Sequence, residues 1–89
     1  MIEREILVTN RLGLHARATA RLVQMLSAYR CNVTLAAKGR EVNAKSIMGV
    51  MLLAAGPGTS IVLRADGADE AEAADAVTDL FARNFHEES

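Results

Sequence analysis

The stretch Gly13-Leu14-His15-Ala16-Arg17-Ala18-Thr19 contains the predicted junction between an extended segment and a helix. Gly13 can take backbone angles closed to other residues, which allows a sharp turn just before the histidine. From Ala16 onward the apolar residues follow a helical period. The pattern therefore predicts that the imidazole of His15 lies at a helix N-terminus, beside Arg17.

Strand and helix patterns alternate on both sides of this junction. They predict a strand over 2–9, a helix from 16 to about 27–30, a hairpin over 32–43, an apolar helix over 47–53, a strand over 59–66 and a last helix. Gly56-Pro57-Gly58 is expected to stop the apolar helix. The order is βαββαβα, with no repeat or linker.

The last helix begins with Asp69 and Glu72, whose spacing is typical of a capping box. Its predicted buried stripe consists of Ala73, Ala74, Val77, Leu80 and Phe81. Together the elements predict a single α+β domain over residues 1–89. One face of its sheet is covered by the two longer helices, and the other is largely open to water.

Composition narrows the functional class. Of 89 residues, 51% are hydrophobic and only 3% aromatic, and the net charge of −1 argues against a nucleic-acid binder, which needs a basic face. No apolar run reaches the roughly 18 residues of a membrane span, and the charged N-terminus does not resemble a signal peptide. We therefore expect a soluble cytoplasmic protein. The single cysteine, Cys31, is expected to be reduced and buried.

His15 can be an incidental polar residue in a loop, a helix cap, or a residue that takes part in chemistry. Helix N-terminal charge disfavours imidazolium, so the neutral ring offers a nucleophilic nitrogen. The same position would stabilise an added phosphate by roughly 0.3–1 kcal/mol, and Arg17 could add charge-assisted hydrogen bonds. One site would thus favour both states of a reversible phosphoryl transfer.

Other chemistry has little support in the sequence. The second histidine, His86, falls in the polar tail 84–89 and is expected to be solvated. No carboxylate or cysteine cluster completes a metal site or a catalytic triad around His15. Neither a metal nor a cofactor is expected.

Two motifs together carry a resemblance that spans essentially all 89 residues. Gly13-Leu14-His15-Ala16-Arg17, followed at the matching interval by Lys45-Ser46-Ile47-Met48-Gly49-Val50-Met51, resembles the HPr family. These are the histidine-containing phosphocarriers of the bacterial phosphoenolpyruvate-dependent phosphotransferase system. The resemblance implies an open-faced β-sandwich with an antiparallel sheet in strand order 1-4-2-3 and three helices on one side.

The resemblance also implies the role of the histidine. His15 would accept a phosphoryl group on Nδ1 from enzyme I and pass it to an enzyme IIA, as a monomeric carrier without enzymatic turnover. Arg17 and Ala16 would stabilise the phosphate. The family usually has proline after the arginine, and here the residue is Ala18. Alanine gives up the fixed φ of proline and restores one backbone N–H in the first turn.

The second motif predicts a switch and a docking patch. Ser46 is a plausible N-cap, and the resemblance makes it a target of an HPr kinase/phosphorylase. Ile47, Met48 and Met51 are spaced to share a face and would dock partners, whereas Val50 and Leu53 are expected in the core. Two alternatives stay open, a regulatory or nitrogen-linked carrier and an interaction module in which His15 only caps a helix.

Overall fold

The computed structural model describes residues 1–86. In chain order the elements are β1 (Ile2–Leu7), α1 (Ala16–Leu26), β2 (Asn32–Ala37), β3 (Arg40–Asn43), α2 (Ile47–Leu52), β4 (Ser60–Asp66), α3 (Glu70–Ala82) and a short 3-10 turn (Asn84–His86). The predicted order βαββαβα is confirmed. Strand β1 is shorter than predicted, because Val8 leaves the sheet to exchange hydrogen bonds with Gly58 and Thr59.

The four strands form one antiparallel sheet in the order β1-β4-β2-β3, as the resemblance implied. β1 pairs with β4 from Ile2 opposite Ala65 to Leu7 opposite Ser60. Side chains alternate across each strand, so that one face of the sheet is buried and the other carries the ion pairs of Arg64 with Glu3 and Glu41. The sheet therefore has one covered face and one open face.

Helices α1 and α3 pack against each other, and α3 buries its predicted stripe. All five residues of the α3 stripe are buried: Ala73, Ala74, Val77, Leu80 and Phe81. From α1 the core receives Leu22 and Leu26, together with the buried hydroxyl residue Thr19. Cys31 is a buried free thiol, as expected, and burial raises its pKa.

The capping box predicted at the start of α3 is wrong. Asp69 precedes the helix, but its side chain makes no cap hydrogen bond there. Its two carboxylate oxygens accept instead from the backbone N–H groups of Arg30 and Cys31, both at 2.9 Å. These bonds tie α3 to the loop between α1 and β2. The carboxylate of Glu70, in turn, accepts from the N–H of Gly67.

Two element ends also differ from the sequence prediction. Helix α2 ends at Leu52, one residue before its predicted end, and the chain leaves the helix at Ala54, which has a left-handed φ of 49°, before it reaches Gly56-Pro57-Gly58. The C-terminal segment is not a purely polar tail, since Phe85 is fully buried against Phe81 with ring centroids 4.7 Å apart. His86 is exposed, as predicted. Residues 87–89 of that tail lie outside the described residues.

Candidate functional site

His15 is the N-cap of α1. Its backbone is extended (φ −76°, ψ 177°), and its Nδ1 accepts a hydrogen bond from the backbone N–H of Arg17 at 3.3 Å. A ring nitrogen that accepts a hydrogen bond carries a lone pair, so the proton of the neutral imidazole is on Nε2. The structure thus brings the imidazole of His15 next to the backbone of Arg17, with the lone pair of Nδ1 directed at the first turn of α1.

The loop before His15 is held by its own hydrogen bonds. The side chain of Asn10 is buried, and its Nδ2 donates to the carbonyl oxygen of Gly13 at 2.7 Å, while the Gly13 N–H donates to the Asn10 carbonyl at 3.2 Å. The hydroxyl of Thr19 donates to the carbonyl of Leu14 at 3.3 Å. Sequence reasoning missed Asn10. A polar residue followed three positions later by glycine is a turn signal that could have indicated it.

Gly13 is required by both its conformation and its surroundings. Its φ is +64°, and a Cβ at this position would lie 2.7 Å from the Cα of Gly56 and still closer to the carbonyl oxygen of Ala55. Next to it, the N–H of Leu14 donates to that same Ala55 carbonyl at 2.9 Å. The site loop is therefore packed directly against the backbone segment that follows α2.

The first turn of α1 presents backbone donors beside the imidazole. Ala16 and Arg17 are exposed, and Ala18 is fully buried beneath them. The first N–H groups of a helix have no carbonyl partner within that helix, and they carry a partial positive charge. An anion bonded to Nδ1 would therefore meet the N–H of Arg17 and the positive end of α1.

Ser46 caps α2, as predicted. Its Oγ accepts from the backbone N–H of Gly49 at 3.1 Å, and the side chain is half-buried. A Cβ at Gly49 would lie 3.3 Å from this Oγ, so the glycine leaves the serine hydroxyl uncrowded. Helices α1 and α2 are in contact, and the contact of Leu14 with Ala55 places the end of α2 beside the site loop.

Helix α2 exposes an apolar surface, while Val50 and Leu53 are buried as expected. The exposed apolar side chains of the helix are Ile47, Met48, Met51 and Leu52, and we call these four residues the α2 patch. Met48 is the most exposed at 79%. Sequence reasoning missed Leu52, although it lies four residues after Met48, a spacing that puts two side chains on the same helix face.

Leu12 adds a further exposed apolar side chain, 63% accessible, in the site loop itself.

Within residues 1–86 the structure contains no group of three His, Cys, Asp or Glu side chains that could hold a metal ion. None of the helices in the described part of the chain is long and apolar enough to cross a membrane.

The chain is similar to known phosphocarrier proteins over nearly its whole length. Residues 2–83 match the family model described as the PTS HPr component phosphorylation site. The phosphocarrier protein HPr of Xylella fastidiosa (strain 9a5c) is 61% identical over the full length of both chains, and that of Cupriavidus necator is 49% identical over 98% of each. A crystal structure of HPr from Thermoanaerobacter tengcongensis superposes with a TM-score of 0.96 at 42% identity, covering both chains completely.

Proposed function

The chain belongs to the HPr family of the phosphotransferase system, whose members are phosphocarrier proteins, and on that basis we propose that His15 is its phosphoryl acceptor. The donor would be enzyme I and the recipient an enzyme IIA, with the chain acting as a monomeric carrier in the cytoplasm. The chain would have no enzymatic turnover of its own and would be a substrate of enzyme I.

The observation that carries this proposal is the hydrogen bond from the Arg17 N–H to Nδ1 of His15. It supports Nδ1 as the attacking atom, because the proton of the neutral ring is on Nε2 and none has to leave Nδ1 first. The Nδ1–P bond forms as the bond between phosphorus and the donor's leaving atom breaks. Transfer to the recipient reverses these events.

The phosphorylated state would be stabilised by the same helix end. The phosphoryl oxygens would lie close to the N–H groups of Ala16 and Arg17, and an anion in such a position gains roughly 0.3–1 kcal/mol when exposed. The guanidinium of Arg17 would add charge-assisted hydrogen bonds. Capping and phosphoryl acceptance therefore use the same ring nitrogen in alternate states of the carrier.

Ser46 would be the regulatory site of this carrier, phosphorylated by an HPr kinase/phosphorylase. A phosphate there would add about −1.5 to −2 charges next to the α2 patch. A partner that approaches with its own phosphate would then be repelled. This regulation is compatible with the capping role of Ser46, because a phosphate at a helix N-terminus is tolerated by the N–H groups of the first turn.

The α2 patch would receive the partners. Ile47, Met48 and Met51 supply exposed apolar surface, and unbranched methionine adapts to differently shaped partners. Such adaptability suits a carrier that must bind both a donor and several recipients. Leu52 would extend this surface.

The test is incubation with phosphoenolpyruvate and enzyme I, followed by phosphorus NMR and mapping of acid-labile phosphate. We expect label on His15, none in His15→Ala, and unchanged labelling in His86→Gln, the matched control for the other histidine. Absence of label at His15 would leave only the interaction module. Ser46→Asp should slow labelling, and an unchanged rate would remove the regulatory role.

A further inference from the structure

The segment after α3 has an unusual backbone. Asn84, Phe85 and His86 all lie in the left-handed region, with φ of 53°, 59° and 61°. The left-handed conformation is unfavourable for most residues that carry a Cβ, and such residues normally occur singly. Three in succession persist only where the surrounding structure holds them. We call these three residues the C-terminal turn.

Contacts with Phe81, Arg21 and Thr9 hold the C-terminal turn against the rest of the fold. The ring of Phe85 is fully buried and packs edge-on against Phe81. The backbone carbonyl of Phe85 accepts a hydrogen bond from Nη1 of Arg21, a half-buried residue of α1. The side-chain oxygen of Asn84 accepts from the hydroxyl of Thr9 at 2.7 Å.

The residues that reach the C-terminal turn come from the two sides of the site loop. Thr9 lies immediately before Asn10, whose side chain binds the carbonyl of Gly13. Arg21 lies on the helix that His15 caps. One end of the turn therefore contacts the segment entering the loop, and its centre contacts the helix leaving the loop.

We propose that Arg21 and Phe85 are positioning residues of the His15 site, and this inference rests on the function proposed above. The C-terminal turn joins α1 to the segment before the loop, and so fixes the direction from which the first amides of α1 face Nδ1. Neither residue touches the phosphoryl group. Their effect reaches it through the orientation of the helix, and small misplacements of reacting groups are costly in rate.

Arg21→Gln tests the proposal, with Arg4→Gln as its matched control. Arg4 is also a long-range tether, donating to the hydroxyl of Thr78 at 3.1 Å and pairing with Asp75 at 2.8 Å, but it joins β1 to α3. In the unphosphorylated protein, Arg21→Gln should shift the backbone amide resonances of Ala16 and Arg17, whereas Arg4→Gln should leave them in place.

After labelling, the phosphohistidine of Arg21→Gln should hydrolyse about twofold to fivefold faster than that of the control at equal fraction folded, because a reoriented helix end stabilises the phosphoryl group less. Arg21→Lys, which keeps a donor, should restore part of the lifetime, and Thr9→Val, which removes the other tether, should shorten it. Equal resonances and lifetimes in Arg21→Gln and Arg4→Gln would overturn the proposal. If even the wild type takes no label, the proposed function fails, and the amide resonances still decide whether the turn positions the helix.

Discussion

Replacing Gly13 by alanine should destabilise the protein through two separable effects. The residue has φ +64°, a conformation that costs a residue with a Cβ about 1–2 kcal/mol. The added Cβ would also lie within 2.7 Å of the Gly56 Cα and nearer still to the Ala55 carbonyl oxygen. Both neighbours are backbone atoms, so no side-chain rotation relieves the overlap.

The chain offers a control that separates the two effects. Gly39, in the β2–β3 turn, has φ +77° and no atom within 4 Å of the position that a Cβ would take, so Gly39→Ala carries only the backbone cost. Overpacking of a tight contact typically adds about 1–3 kcal/mol. We expect Gly13→Ala to lose roughly 2–5 kcal/mol in total and Gly39→Ala about 1–2 kcal/mol.

Equilibrium urea unfolding followed by circular dichroism would measure both free energies. The loss expected for Gly13→Ala stays below most of the range of roughly 5–15 kcal/mol for a typical domain, so the variant should still fold in water. Phosphorylation of the folded protein should also be slower in Gly13→Ala than in Gly39→Ala, because the overlap displaces the loop that carries His15. Equal free energies for the two variants would refute the steric argument.

Three further changes test other parts of the structure. Ala54→Gly should raise the free energy of unfolding by about 0.5–1 kcal/mol, because Ala54 ends α2 with φ 49°; an unchanged urea midpoint would contradict this. The backbone amides of Arg30 and Cys31 hold the pKa of the Asp69 carboxyl below its usual value. The ionised carboxylate therefore contributes its full stability to the fold above the unfolded pKa of about 3.9, and that contribution is lost as the pH falls through the folded pKa. Asp69→Asn should therefore lower the melting temperature at pH 7, with a difference from wild type that shrinks in acid, and a pH-independent difference would argue against it. Ala18→Pro should raise the free energy of unfolding by about 0.4–1 kcal/mol, because proline restricts the unfolded chain. The rate of phosphorylation should stay within tenfold of wild type, and abolished phosphorylation or a rate increase of more than tenfold would contradict this account of the first turn.

Local pattern was sufficient for the junction at His15. A glycine before a helical apolar period indicates both the turn and the helix start, and the serine at position 46 likewise indicated a cap that the structure contains. The strand order could not be predicted from local pattern, because periodicity does not show which strands are neighbours. That part of the fold came from the family resemblance.

The two clearest errors have a common physical cause. The carboxylate of Asp69 binds amides at residues 30 and 31, which are distant in sequence and cannot appear in a local capping pattern. Phe85 looked like part of a polar tail because its neighbours are polar, yet the tertiary fold offers it a partner in Phe81. The available signal was the type of residue itself, because a large aromatic side chain is seldom left exposed in a polar segment.

The pairing of β1 with β4 has a consequence for how the protein is made. Leu7 lies opposite Ser60, and the roughly fifty residues between them take about 3–10 s to synthesise at about 5–20 residues per second. Until β4 leaves the ribosome, β1 and β2 lack the strand that joins them, and the segment that supports Gly13 is absent. A nascent chain therefore carries His15 for seconds before the structure around it can exist, and that structure can form only once β4 has been synthesised.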